Sequence, residues 1–353
     1  MGDYVKKHGT ENKCSYCSRS GENIAIAIGD LKNCILRAWN ILFDDADDFD
    51  FNQQSEDIIL KSKDLIFKDP YTKITDANIN FLHDLEEYLI HYIWIPKTGC
   101  FMNNSGILLY SWRNFSDLVK KERRYTFFQN DGIEYLSLAK SPLDTLQEIS
   151  RLLNSQTSLI KTIPAQTVFF RGRLFDKQKK AKAAMATQLG TASVKNSRNN
   201  RFSPAGIPMF YGCMKKDAVI KELRPAANKY LVIGEFYNTK PLKILDLTEI
   251  PPVPLYTGSE IEVLSLHFLH CFAAEISKPT HNESLDYIPT QVFTEYIRYI
   301  GLRNGSIKGI KYNSAEAPDQ SNVVLFYKKK DCKDKDSLGE DCLILKDKEV
   351  CEV

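Results

Sequence analysis

Four residues in the second half of the chain have side chains suited to chemistry in a pocket: Arg171 in FFRGR, Tyr211 in FYG, Glu222 in AVIKELRP and Ser314 in IKYNSA. Each lies at the end of a predicted strand or on the helix after one, and rigid elements of this kind can hold such groups together. An arginine can clamp an anion, and a carboxylate can stabilise a developing positive charge. Taken singly, each also has an ordinary structural interpretation: a surface cation, a core tyrosine, a solvated ion pair or a turn serine.

The same part of the chain is locally basic. Between residues 171 and 201 a single acid, Asp176, stands against nine cations: Arg171, Arg173, Lys177, Lys179, Lys180, Lys182, Lys195, Arg198 and Arg201. Such a run suits a phosphate-bearing ligand, and arginine is preferred because it can bind bidentately. A solvated surface loop is the alternative. The sequence has neither G-x-x-x-x-G-K-[ST] nor G-x-G-x-x-G, so no P-loop or Rossmann turn would hold the phosphates.

Short strands and two helices are predicted to position these residues. Segments rich in β-branched and aromatic residues predict six strands, which are QTVFFR, PMFYGC, YLVIGEFY, LKILDL, IKGIKY and NVVLFY. The helices are KDAVIKEL, with Asp217 as a candidate N-cap, and PTQVFTEYIRYI, with Thr290 as N-cap. The charge-dense tail from Lys328 predicts a loop before the short apolar stretch CLIL.

The first part of the chain has a different pattern. Apolar residues recur at helical spacing in ENIAIAIGDLKNCILRAWNILF, SEDIILKSKDLIF, DANINFLHDLEEYLIHYIW, NFSDLVKKERR and SPLDTLQEISRLLN. The sequence therefore predicts an α+β protein. We expect an all-helical N-terminal domain over residues 1–155 and a mixed β/α domain over residues 156–353.

Composition narrows the class of protein. The chain has 353 residues, of which 43% are hydrophobic and 26% charged, as in ordinary soluble globular proteins. A formal net charge of +2 does not favour nucleic acid or a membrane surface as a partner. No apolar run is long enough to span a bilayer, and the polar start does not resemble a secretory signal. The nine cysteines are therefore expected to be mostly reduced, in a cytoplasmic protein.

Cysteines and histidines raise the question of a metal site. Cys14 and Cys17 form a C-x-x-C pair, which Cys34, His83, His91 and Cys100 could complete as a zinc site; whether they do is left open. No second C-x-x-C or H-x-x-x-H motif is present, and no metal is expected at the functional site. No arginine precedes His83 or His91 at the spacing that HEPN ribonucleases use, so RNA cleavage is not predicted. His267 and His270 are expected to flank the core.

The ordered set of segments in the second half resembles the RES domain, which is named for its Arg, Glu and Ser. The segments are FFRGRLF, NRFSPAGIPMFYGCMKKDAVIKELRP, GEFYNTKPLKILDL, YIPTQVFTEYI, GIKYNSA and NVVLFY, and they span roughly residues 165 to 328. The N-terminal part resembles the helical HEPN/RES-type extension of long RES proteins. The resemblance implies a fold like that of the ADP-ribosyltransferases and a reaction on NAD+. The Lys-rich stretch before the SPAG turn departs from the proline-rich segment common in longer relatives.

The resemblance implies that the family's arginine corresponds to Arg171, with Arg173 as the less favoured alternative. Its tyrosine, glutamate and serine correspond to Tyr211, Glu222 and Ser314. In this interpretation Glu222 stabilises an oxocarbenium-like transition state and binds ribose hydroxyls. Arg171 clamps phosphate or the ribose edge, Tyr211 walls the nicotinamide or ribose, and Ser314 orients Glu222 or the ligand. The SPAG turn would aim Arg201 and Tyr211 into an NAD+ pocket, so the expected ligand-binding residues are Arg171, Arg173, Arg201, Tyr211 and Ser314.

The resemblance implies an NAD+-degrading enzyme that cleaves the nicotinamide–ribose bond, with water or phosphate as acceptor, acting as a toxin or defence effector. NAD+ is then the substrate, and no cofactor is required. ADP-ribosyl transfer to a macromolecule and a non-catalytic dinucleotide sensor remain alternatives. A cognate antitoxin protein is a candidate partner, and a homo-oligomer is left open.

Overall fold

A computed structural model of the chain describes residues 8–48, 59–69, 72, 74, 77–97, 103–128, 139–223, 229–254, 259–280, 282–302, 307–317, 320–335 and 339–352. The chain forms two compact units. The first comprises Met1–Tyr110 with Pro251–Cys271, and the second Ser111–Ile250 with Phe272–Val353. Among the described residues, no helix is both long and apolar enough to cross a membrane.

Helices and short strands alternate in the first unit. The helices are α1 (Ile28–Leu42), α2 (Ser62–Phe67), α3 (Ile79–Leu89) and the start of α4 (Asn104–Lys121). The strands are β1 (Glu11–Lys13), β2 (Ser20–Ala25), β3 (Phe43–Asp45), β4 (Leu60–Lys61) and β5 (Ile93–Pro96). Trp39 of α1 is fully buried and packs edge-to-face on Trp94, with ring centroids 5.4 Å apart. The core of this unit is therefore built where the amphipathic helix meets the small sheet.

The predicted helical character of the N-terminal part is confirmed, but this part is not all-helical, because it also contains the short strands β1 to β5. The helix assigned from residue 22 begins only at Ile28. Residues 20–25 instead form β2, which pairs with β1 in a hairpin whose turn contains Cys14 and Cys17. Asn23 has a φ of 51°, which interrupts any helix there. The apolar residues at Ile24 and Ile28 fit helical spacing, and this pattern concealed the hairpin.

A nine-stranded sheet dominates the second unit. Its strands are β6 (Ile160–Ile163), β7 (Val168–Phe175), β8 (Phe210–Cys213), β9 (Tyr230–Asn238), β10 (Leu242–Asp246), β11 (Gly309–Asn313), β12 (Ser321–Leu325), β13 (Cys332–Asp334) and β14 (Leu343–Glu352). The order across the sheet is β13-β14-β9-β7-β8-β12-β11-β10-β6. All six predicted strands are present as β7 to β12. The mixed α+β fold is thereby confirmed.

Two elements of the second unit differ from the predictions. The tail predicted as a loop contains β13, and β14 pairs with β9 from Leu343–Asn238 to Glu352–Tyr230. Strand β14 begins with the buried residues Leu343, Ile344 and Leu345 and continues through a run of charged residues, so its pairing with β9 rather than an alternating pattern makes it a strand. Thr290 lies inside its helix rather than at the N-cap, because the helix already begins at Ile288.

Besides the end of α4, the second unit contains further helices. They are α5 (Pro142–Ser155), α6 (Gln178–Lys182), α7 (Ala186–Leu189), α8 (Lys216–Leu223), the end of α9 (Glu260–Ser277), α10 (Glu283–Asp286) and α11 (Ile288–Tyr296). Ser141 caps α5 by accepting a hydrogen bond from the Asp144 amide. In α5, Asn154 donates to the carbonyl oxygen of Gly301 at 2.7 Å. Helix α5 therefore belongs to the compact unit that contains the sheet, while a domain boundary at residue 155 stays a prediction.

One irregularity in the sheet matters for the site. Strand β7 pairs with β9 along its whole length, from Val168–Tyr237 to Phe175–Tyr230. It pairs with β8 only where Phe170 lies opposite Cys213. The two strands therefore separate next to Phe170, and the edges of both become available to a cavity.

Candidate functional site

A cavity of about 770 Å³ opens where β7 and β8 separate. Its walls are residues 170–173 of β7, residues 211–213 of β8, the C-terminal half of α8, the segment 196–201 and the turn after β11. This volume lies within the range of small-molecule and cofactor sites. The cavity therefore combines residues that are far apart in sequence.

Glu222 on α8 is held by two neighbouring side chains at this cavity. Its Oε1 accepts hydrogen bonds from the Ser314 hydroxyl and, at 2.7 Å, from the Asn322 amide. Ser314 and Asn322 are both buried, with exposed fractions of 3% and 6%. Backbone amides of Glu316 and Ala317 donate to the Ser314 hydroxyl oxygen at 3.2 and 3.0 Å, which aims its proton at Glu222. We call Glu222, Ser314 and Asn322 the carboxylate cluster.

Gly172 lets α8 bring Glu222 close to the sheet. A Cβ atom at position 172 would lie 2.3 Å from Leu223 Cδ1 and 2.5 Å from Val219 Cγ1. Both of these neighbours are on α8, on either side of Glu222. A side chain at residue 172 would therefore displace the helix that carries the carboxylate.

Arg171 is bound to the backbone at the point where the strands separate. Its Nε donates to the carbonyl oxygen of Leu189 at 3.1 Å, and its Nη1 donates to that of Tyr211. The guanidinium also lies over the Phe210 ring, 5.2 Å from the centroid. Burial, aided by the charge of Arg173, lowers the pKa of Arg171 to about 9, so it remains a cation at neutral pH. Arg171 thus satisfies a carbonyl that the missing β7–β8 pairing leaves open.

Arg173 lies on the same face of β7, two residues along. Its Nη2 donates to the Gly190 carbonyl oxygen at 2.8 Å, and its Nε lies 3.4 Å from that of Leu189. Burial lowers the pKa of Arg173 as well. The two predicted anion-binding arginines of β7 therefore have several donors engaged by the protein's own backbone.

Tyr211 fixes the turn that precedes its strand. Its phenol oxygen accepts from the Phe202 amide at 3.1 Å and lies 3.0 Å from the Ser203 hydroxyl. Burial raises the pKa of the Tyr211 phenol to about 12, so the group stays neutral. In the SPAG turn itself, Gly206 has a φ of 88°, a conformation that favours glycine.

Arg201 lines the cavity, and backbone carbonyl groups hold its guanidinium. Its Nη1 and Nη2 donate to the carbonyl oxygens of Ile276 and Lys278, each at 2.8 Å. These carbonyls lie at the C-terminal end of α9, where a cation is stabilising. The guanidinium also lies 5.1 Å from the Tyr287 ring centroid. The expected ligand-binding role of Arg201 stays a prediction, with these two donors already used.

The cations of the predicted basic run separate into two groups. Arginines 171, 173, 198 and 201 line the cavity. The lysines on and beside α6, which are Lys177, Lys179, Lys180 and Lys182, are exposed and are not among the cavity-lining residues that the structure describes. The sequence did not distinguish these groups, because both appear as charge in one continuous segment.

Two family models match the chain. The RES domain matches residues 173–341, and HEPN/RES N-terminal domain 1 matches residues 7–132. Together they cover more than four fifths of the sequence. The chain belongs to the long-form RES proteins. Neither a search of curated proteins nor one of solved structures found a match.

Membership of the RES family is consistent with an NAD+-related toxin or defence function. The RES match begins at Arg173, so Arg171 lies just before it, while Arg201, Tyr211, Glu222 and Ser314 all lie inside. Five of the six residues singled out from the sequence line the cavity, and Ser314 reaches it through its bond to Glu222.

Sequence reasoning missed Asn322 in this RES protein. The residue opens the strand segment NVVLFY, whose other members are apolar or aromatic. A polar residue at the start of a buried strand is a weak signal, because such positions are often solvated. Its role became visible only through the long-range bond to Glu222.

The cysteines and histidines considered as metal ligands do not form a metal site in the described part of this RES protein. The structure describes no group of three or more His, Cys, Asp or Glu residues placed to hold a metal, and Cys100 lies outside the described residues. His267 Nδ1 lies 3.0 Å from the Ser105 hydroxyl, and His270 Nε2 lies 2.9 Å from the carbonyl oxygen of Pro251. Burial lowers the pKa of His267 to about 4, so its ring is neutral at pH 7.

Proposed function

We propose that this protein cleaves the bond between nicotinamide and ribose in NAD+. The observation that carries the proposal is the Glu222 carboxylate, fixed by Ser314 and Asn322 at the wall of a cavity lined by arginines. Loss of nicotinamide leaves positive charge on the ribose, and a fixed anion stabilises such a transition state. The C1′–N bond breaks with its electron pair on nicotinamide, and water then adds to C1′ and releases a proton.

The geometry of Glu222 supports this role. Both side-chain donors bind Oε1, and Oε2 has no hydrogen-bond partner among the residues that the structure describes. Oε2 is thus free for a ribose hydroxyl or for the developing charge at C1′. Because the donors fix the carboxylate before substrate binds, little reorganisation is needed during the reaction.

The rest of the cavity suits a dinucleotide. Its four arginines offset the negative charge of the phosphates, and the cavity size is appropriate for a cofactor-sized molecule. In this proposal NAD+ is the substrate and no further cofactor is required. We further propose that the activity serves as a toxin or defence effector, which a cognate antitoxin protein would restrain.

Incubation with NAD+, in the absence and in the presence of inorganic phosphate, tests the proposal. Release of free nicotinamide, with ADP-ribose in equal amount, supports hydrolysis, and dependence on inorganic phosphate identifies phosphorolysis. Label transferred from NAD+ to protein would favour ADP-ribosylation of a macromolecule instead. Binding of NAD+ with no nicotinamide released under any of these conditions would favour a non-catalytic sensor and contradict the proposal.

A further inference from the structure

Ser197 and Arg198 line the cavity with side chains that have no partner among the described residues. The Ser197 hydroxyl oxygen is buried and has no hydrogen-bond partner among the described residues. Arg198 is exposed, and its guanidinium has no ion pair or hydrogen bond within the described part of the chain. Both residues line the cavity.

The backbone of this segment is fixed even though these side chains are unengaged. The Ser197 amide donates to the carbonyl oxygen of Val194 at 3.3 Å, and the Asn200 side chain donates to that of Arg198 at 2.8 Å. Gln291 on α11 in turn donates to the Asn200 carbonyl oxygen at 2.9 Å. Hydrogen bonds therefore hold the backbone of Ser197 and Arg198 in place, so less conformational entropy of this segment is lost when a ligand binds.

The side chains of the other three cavity arginines, in contrast, are hydrogen-bonded to the protein. Arg171, Arg173 and Arg201 each donate to two backbone carbonyl oxygens. Guanidinium groups whose donors are occupied in this way contribute charge, but have fewer donors left for a bidentate contact. Arg198 has its full set of donors available.

We infer that Ser197 and Arg198 bind the phosphate groups of the substrate, and we call this pair the phosphate seat. A guanidinium with a neighbouring hydroxyl matches the oxygen acceptors of a phosphate. Arg198 is thus the cavity arginine with the most donors left for such a contact. Identification of the phosphates as those of NAD+ rests on the proposed function; the phosphate chemistry of the seat does not.

A series of substrates with decreasing phosphate content tests the seat. NAD+ has a pyrophosphate, nicotinamide mononucleotide has one phosphate, and nicotinamide riboside has none. Arg198→Gln should lower the ratio of kcat/KM for NAD+ to that for the riboside by at least about tenfold, as expected for lost hydrogen bonds to a charged group. Ser197→Ala should lower the ratio in the same direction by a smaller factor.

Lys195→Gln provides the matched control. Lys195 is exposed, lies three residues before Arg198, and is not among the described cavity-lining residues. This variant removes the same unit of charge nearby, so it should leave the ratio unchanged. A ratio that falls equally in both variants, or in neither, would overturn the inference.

Binding of ADP, measured by calorimetry, separates this inference from the proposed function because it needs no turnover. Weaker ADP binding in Arg198→Gln but not in Lys195→Gln supports the seat, even if wild type releases no nicotinamide from NAD+. Nicotinamide release together with ADP binding that is independent of Arg198 leaves the function standing and contradicts the seat.

Discussion

The carboxylate cluster and the phosphate seat border the same cavity but are built in opposite ways. In the cluster, buried side chains hydrogen-bond to one another before any ligand is present. In the seat, the backbone is hydrogen-bonded while the side chains remain available. A group that stabilises a transition state gains from being fixed in advance, whereas a group that binds substrate takes its partner from that substrate. The difference predicts that the two regions act on different kinetic parameters.

Glu222→Gln should give the largest effect. Glutamine retains an oxygen that can accept from Ser314 and Asn322, so the geometry is kept while the charge is lost. We expect kcat for nicotinamide release to fall by at least about 100-fold, or about 2.7 kcal/mol of transition-state stabilisation. Glu283→Gln, which removes a carboxylate elsewhere on the cavity wall, is the control and should retain turnover. Equal losses in the two variants would mean that Glu222 has no special role.

Asn322→Asp tests whether the carboxylate cluster functions only when Glu222 is its single carboxylate. The substitution places a second carboxylate at hydrogen-bond distance from Glu222, where the amide now lies at 2.7 Å. Because two adjacent carboxylates resist double ionisation, one apparent pKa of the pair should rise by more than about one unit. The pH profile of the rate should therefore differ between the variant and wild type. An unchanged pH profile would separate Asn322 from the function of Glu222.

Gly172→Ala tests how the cluster is positioned. The added methyl group would contact Val219 and Leu223 and push α8 outward, at a cost of about 1–3 kcal/mol in unfolding free energy. A thermal melt should show the loss of stability, and kcat should fall more than the affinity for ADP. Gly29→Ala is the control, since no atom lies within 4 Å of a Cβ atom at that position. Similar melts for both variants would contradict the proposed packing constraint.

The lysines beside α6 should give the smallest effect. Changing Lys177, Lys179, Lys180 and Lys182 to glutamine removes four exposed charges that do not line the cavity. Exposed charges are screened beyond about 10 Å at 0.1 M salt, so KM for NAD+ should change by less than about twofold. A larger rise than that of Arg198→Gln would place the phosphate-binding charge on the lysines.

Local pattern predicted most of the sheet because six strands carry their own signature of β-branched and aromatic residues. It failed for β14, whose place depends on pairing with β9 about a hundred residues away. It also failed for β1 and β2, where apolar residues at helical spacing coincide with a hairpin. Such errors arise because tertiary pairing outweighs local periodicity.

The candidate site was only partly accessible from sequence, for a related reason. Residue types and family resemblance identified Glu222 and Ser314, which the fold brings into contact. Asn322 was missed because its partner is 100 positions away. The four arginines are chemically identical in sequence, and only the structure separates those that bind backbone carbonyls from Arg198.

Steady-state nicotinamide release by Glu222→Gln and Arg198→Gln, assayed side by side with NAD+, tests the division between the two regions most directly. We predict that Glu222→Gln loses at least about 100-fold in kcat with little change in KM, because the charge it must stabilise arises mainly in the transition state. Arg198→Gln should instead raise KM by about tenfold or more with kcat largely retained. A folded Glu222→Gln variant with near wild-type kcat would contradict the account.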